Sequence, residues 1–68
     1  MEYLLVEFRE NRPVIIDDYE QGETNKVIEL PGGRHFVTLG GRRDFRPAER
    51  IVTLINTSSG SPHVLPFT

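Results

Sequence analysis

Cysteine and tryptophan are absent from this chain, lysine occurs once, as Lys26, and no charged side chain follows Arg50 if His63 is counted neutral. Without thiols there are no disulfide staples and no thiolate zinc sites, although cysteine-free chains occur in every compartment. No apolar run approaches the roughly 20 residues of a membrane-spanning helix. The opening Met1-Glu2-Tyr3-Leu4-Leu5-Val6 places an acid second and reaches polar Glu7. It lacks the basic and apolar regions of a signal peptide, so the cytoplasm is the expected compartment. A sustained 3.6-residue periodicity is missing as well, which argues against a helical fold.

What is present is alternation. Leu4, Val6 and Phe8 point one way in the first run while Tyr3, Leu5, Glu7 and Arg9 point the other. A period of two predicts a strand with one buried face. Val14-Ile15-Ile16 forms a short β-branched run entered through Pro13, a position where a strand tolerates proline. Asp18-Tyr19-Glu20-Gln21-Gly22 reads as a five-residue turn, with Gly22 free to take positive φ. Lys26 to Leu30 and His35 to Leu39 alternate again on either side of Pro31-Gly32-Gly33. Proline at the first central position and glycine at the second predict a type II hairpin turn there. Gly40 to Pro47 is irregular and reads as a loop whose Phe45 plugs the core. Arg50 to Ile55 is mostly β-branched and apolar on both faces, the pattern of a central or covered strand. The tail His63 to Thr68 follows a polar, turn-prone segment, and Pro66 confines any strand there to an edge.

Sixty-eight residues support a single core. A domain this small buries only about 60% of the surface its unfolded chain exposes, which limits its stability. Five or six short strands predict an all-β fold, a small antiparallel β-sandwich, with a small β-barrel as the alternative. The sandwich spans residues 1–56, and residues 57–68 form a polar turn and a C-terminal tail or edge strand. The expected core is Leu4, Val6, Phe8, Val14, Ile16, Ile28, Leu30, Val37, Leu39, Val52 and Leu54. Phe36, Phe45, Ile51 and Ile55 would cover an open end or a second face.

Charge is unevenly distributed. Residues 1–33 hold eight acids against three bases, and residues 34–50 hold five arginines against Asp44 and Glu49. Arg34, Arg42, Arg43, Arg46 and Arg50 would contact a polyanion, with Phe45 stacking on a base if that partner were nucleic acid. The net charge of -2 and the scarcity of lysine weigh against this. Asp17, Asp18, Glu20 and Glu23 form an acidic turn without the EF-hand spacing, so a solvated turn rather than a specific metal site is expected there, with weak cation binding at most. His35 and His63 have no spacing that makes them meet. His35, on the face of Val37 and Leu39, is expected to be partly buried with a ring N–H bonded to a backbone carbonyl. The glycine pair, followed by no helix, is a corner rather than a phosphate cradle. No serine lies on a strand-to-helix elbow.

Pro13-Val-Ile-Ile-Asp-Asp, the loop through Gly22, and Val27-Ile-Glu-Leu-Pro-Gly-Gly-Arg-His-Phe-Val-Thr-Leu resemble the PEGA domain. Asp17 and Asp18 match that family's first turn and Gly22 the glycine after it. Pro31, Gly33 and His35 match the second motif, Phe45 falls near a later aromatic, and Ile51 to Ile55 match the last strand. The name-giving Pro-Glu-Gly-Ala string is absent, and Glu23-Thr24-Asn25 stands where a Thr-Pro pair is usual. The resemblance, over residues 13–55, implies a small β-sandwich accessory module with no catalytic residues.

Taken together, these features lead to the expectation of a non-catalytic module for protein–protein interaction or self-association, without a cofactor. Outward apolar residues Leu5, Ile15, Val27, Ile51 and Ile55 would meet another protein or a second copy in a homodimer. Nucleic-acid or polyanion binding through arginines 42–50 is the alternative.

Overall fold

The computed structural model describes all residues, Met1 to Thr68, and contains strands only. Seven strands follow in the order β1 (Glu2–Glu7), β2 (Pro13–Ile16), β3 (Tyr19–Glu23), β4 (Val27–Leu30), β5 (Gly33–Leu39), β6 (Arg50–Leu54) and β7 (His63–Pro66). They form a three-stranded sheet, β4-β1-β7, and a four-stranded sheet, β3-β2-β5-β6. All pairs are antiparallel except β1 and β7, which run parallel. This is a small β-sandwich and not a closed barrel.

The inward residue set follows directly from alternation. All eleven expected core residues are buried, and Phe45, Leu65 and Phe67 join them in one cluster. Phe45 sits edge-on between Phe8 and Phe67, with ring centroids 6.4 and 5.9 Å away. It closes one end of the core, as its place in an otherwise polar loop suggests. Residues 57–68 supply edge strand β7, and Leu65 and Phe67 carry that segment into the core.

Three connections differ from expectation. First, the five-residue turn after β2 does not exist. Asp17 and Asp18 alone reverse the chain at positive φ of 52° and 71°, and Ile16 pairs with Tyr19. Two central residues with positive φ make a type I′ hairpin, normally built from Asn-Gly or Asp-Gly. The segment read as loop is therefore edge strand β3, whose residues are polar or exposed and leave no alternating signature.

Second, Pro31-Gly32-Gly33 is not a hairpin turn. Leu30 pairs with Glu2 and Gly33 pairs with Leu54, so the corner carries the chain from one sheet to the other. The positive φ lies at Gly33, 108°, rather than at Gly32. Alternation on both sides of a corner fits an arch across the core as well as a hairpin within one sheet.

Third, β6 is an edge strand. Apolar residues on both of its faces suggested a covered position. Instead Ile51 and Ile55 remain 56% and 69% exposed.

Candidate functional site

The outer surface of the four-stranded sheet gathers the most chemistry. Cross-strand pairing places Phe36 of β5 beside Ile51 of β6, and Arg34 beside Thr53, all pointing away from the core. Asp17, Arg34, His35, Phe36 and Ile51 line a shallow depression of about 280 Å³. Phe36 is 38% exposed, so the Phe36–Ile51 pair offers solvent a continuous apolar strip.

His35 anchors the depression from below. Its Nδ1 lies 2.7 Å from Asp17 Oδ2 and its Nε2 lies 2.8 Å from the Pro31 carbonyl oxygen. Both partners can only accept, so the doubly protonated imidazolium satisfies both contacts and either neutral tautomer satisfies one. The Phe36 amide donates to Asp17 Oδ1, and the Asp17 amide donates to the Phe36 carbonyl. A single ring thus ties the Asp17-Asp18 turn to the inter-sheet corner. The expected carbonyl partner is present; the carboxylate partner has no signal in the local sequence, because Asp17 and His35 become neighbours only when β2 pairs with β5.

Burial pulls the His35 pKa down, but the hydrogen bond to Asp17, the Pro31 carbonyl and the Asp17 charge outweigh it, and the result lies above the usual value. The Phe36 amide and then His35 hold the Asp17 carboxyl below its usual range against a small opposing effect of burial. The linkage follows from these directions. His35 contributes fully below its unfolded pKa of about 6.5, where both states carry the proton, and loses the contribution as pH rises through the higher folded value. Asp17 contributes above its unfolded pKa of about 3.9 and loses the contribution as acid protonates it below that value. Urea midpoints are expected to fall above about pH 6.5 in the wild type. In His35→Gln that fall should shrink. Superimposable pH profiles would contradict the imidazolium assignment.

As a catalytic dyad the pair is poorly placed. Both ring nitrogens and both Asp17 oxygens are engaged within the fold, leaving none directed at the depression. His63 lies on β7 of the other sheet, paired with Leu4. No three His, Asp or Glu side chains gather as a metal-binding group. Of the acidic turn, Asp17 is held by His35 and Phe36, while Glu23 pairs with Lys26 at 3.0 Å.

The five arginines do not form one surface. Arg34 points outward from β5, whereas Arg50 lies on the opposite face of the same sheet and donates to the Pro66 carbonyl at 3.1 Å. Arg42, Arg43 and Arg46 are exposed in the 40–49 loop, and none of the five makes an ion pair. Phe45, the ring among them, is 8% exposed and unavailable for stacking on a base.

The loop is organised by a residue the sequence reading passed over. Buried Arg12 donates through Nη2 to both oxygens of Asp44 at 2.8 Å, and through Nη1 to the Gly40 and Arg42 carbonyls. Its Nε bonds to Glu10, and Arg9 adds a second contact to Asp44 at 3.0 Å. The Arg12 guanidinium first, and the charges of Arg12 and Arg9 with it, hold the Asp44 carboxyl below its usual range. Both guanidiniums also lie over the Phe8 ring, 4.5 Å away for Arg9 and 5.4 Å for Arg12.

The expected interaction residues divide between two faces. Leu5 and Val27 pair with each other on the outer face of the three-stranded sheet, where Val64 joins them. Ile15 and Ile51 belong to the outer face of the four-stranded sheet, and exposed Ile55 lies one residue past the end of β6.

No protein-family model, curated protein or solved structure matches this chain.

The four sheet edges differ sharply in how they are defended. Unpaired edges recruit other strands unless charge, proline or shortness blunts them. β3 carries Glu20 and Glu23, and β4 is preceded by Lys26 and contains Glu29. β7 has four residues, contains Pro66 and follows Pro62. β6 carries a single charge, Arg50 at its first position after Glu49, and from Ile51 through Leu54 and the adjoining Ile55 it has neither charge nor proline.

Proposed function

We propose that this chain is a non-catalytic β module that mediates protein–protein interaction or self-association through the β6 edge and the adjoining Phe36–Ile51 strip. The observation that carries the reading is the β6 edge, free of charge and proline from Ile51 onward and bordered by two strongly exposed isoleucines. Strand addition there would satisfy the open backbone groups of β6 and bury Ile51 and Ile55 in the same step. The PEGA likeness belongs to this proposal, because it carries the same expectation of an accessory module. The engaged state of His35 and Asp17 supports the absence of catalysis. Polyanion binding is the weaker reading, since the arginines are split between faces and Phe45 is buried.

A photoreactive benzophenone side chain at position 53, on the β6 edge, tests the reading against the same group at position 20, on the β3 edge. Irradiation of cells producing the chain is expected to give discrete protein adducts from position 53 and none from position 20. No adduct from position 53, or the same adducts from both positions, would overturn it.

A further inference from the structure

The sequence of the β6 edge names its own partner. Ile51-Val52-Thr53-Leu54-Ile55 reads as the same apolar pattern in both directions about Thr53. Two identical strands related by a twofold axis pair antiparallel and present the same patch to each other, so such an interface needs a self-complementary pattern. An axis through Thr53, perpendicular to the sheet, sets Val52 opposite Leu54 of the second copy and Thr53 opposite Thr53, and one residue of extension beyond the end of β6 sets Ile51 opposite its Ile55.

Resting on the β6-edge reading above, we propose that the occupant is a second copy of this chain, paired antiparallel in this register. The two four-stranded sheets then become one continuous eight-stranded sheet. Outward residues stay outward and inward residues stay inward on both sides. Each Phe36–Ile51 pair gains the opposing Ile55, so two apolar rows flank a central pair of threonines. Arg50, the one charged residue of the strand, lies outside the paired run, where the second chain has already left the extended conformation at Asn56 (φ 57°), so no like charges meet across the new pair.

Neighbouring registers are worse. A slip of one residue sets core-facing side chains opposite solvent-facing ones. A slip of two in one direction opposes Ile51 to Thr53 and leaves Ile55 against Glu49. In the other direction it sets Ile51 against polar Thr57. Cross-strand pairs of branched apolar side chains are the stabilising unit of a sheet, and the Thr53-centred register opposes Ile51 and Ile55 twice by symmetry.

The absence of native cysteine makes a single introduced thiol a clean reporter. In Thr53→Cys the two sulfur-bearing residues would have Cα atoms about 4.5–5.5 Å apart, the spacing of directly opposed antiparallel residues. That lies within the roughly 4.4–6.8 Å a disulfide requires. In Ile51→Cys the equivalent residues would be offset by about four residues, roughly 13 Å, and could not join. Under mild oxidation Thr53→Cys should link at least about tenfold faster than Ile51→Cys or than Glu20→Cys on the β3 edge, because pairing raises the local thiol concentration. Equal rates in the three variants would overturn the self-pairing. If position 53 yields photo-adducts heavier or lighter than two copies while Thr53→Cys stays unlinked, a different protein occupies the edge and only the second-copy assignment falls. If position 53 yields no adduct and no disulfide, the edge reading falls with it.

Discussion

Thr24→Val is expected to lower the stability of the fold by about 1–3 kcal/mol, although it changes neither the size nor the branching of the side chain. Thr24 is fully buried. Its hydroxyl accepts from the Arg12 amide and donates to the Glu10 carbonyl, each at 2.8 Å, while its own amide donates to the Arg12 carbonyl at 2.9 Å. Valine fills the same space and leaves the buried Arg12 amide without a partner, worth about 1–3 kcal/mol, while the Glu10 carbonyl, on an exposed residue, keeps a contact from the Asn25 side-chain amide at 3.5 Å. A domain of this size has a total stability of only about 3–10 kcal/mol at the usual 0.05–0.15 per residue, so the substitution removes a large part of it. Thr24→Ser keeps both hydrogen bonds and loses one buried methyl group, about 1 kcal/mol. Urea unfolding followed by circular dichroism suits a chain without tryptophan. A serine variant less stable than the valine variant would show that the methyl group, and not the hydroxyl, holds this corner.

The reason lies in how β1 reaches β2. Residues 8–12 have no strand partner, and Thr24 and Asn25 serve in its place. The Asn25 amide donates to the Val6 carbonyl, and its side chain accepts from the Phe8 amide and donates to the Phe8 carbonyl. Asn25 occupies positive φ, 65°, a conformation asparagine tolerates better than most residues. Arg12 then extends the same corner to Asp44 and fixes the 40–49 loop that carries Phe45.

Alternation made the core legible, because a period of two assigns each residue to a face without reference to its partners. Leu4, Val14, Ile28, Val37 and Val52 could be placed inside on that ground alone. Partner choice was not legible. The Pro31-Gly32-Gly33 corner announces a change of direction, but whether the chain returns within one sheet or crosses to the other depends on which strands claim Leu30 and Gly33. β3 stayed hidden because an edge strand with exposed or polar residues on both sides has no pattern to read. Apolar residues on both faces of Ile51 to Ile55 suggested cover on both sides. The fold buries one face and leaves the other open, and that mismatch is what points to a partner. Arg12, Thr24 and the His35–Asp17 contact were invisible for a different reason. Each depends on residues 12 to 32 positions apart that meet only in the folded chain.

Ile51→Lys is expected to separate the two copies while leaving each one folded. Ile51 faces solvent in the single chain, so lysine there disturbs no core packing, and the circular dichroism spectrum should not change. In the paired form the substitution removes two isoleucine contacts by symmetry and sets two ammonium groups within an apolar row. Burial of an isoleucine side chain is worth about 1.5–3 kcal/mol, so the pair loses about 3 kcal/mol or more. That weakens association more than a hundredfold. Light scattering of wild type and variant over a concentration series measures this directly. The β6 edge predicts the mass of two chains for the wild type and of one chain for Ile51→Lys. A wild type that stays at the mass of one chain at millimolar concentration, or a two-chain mass that survives the lysine, would contradict self-association through β6.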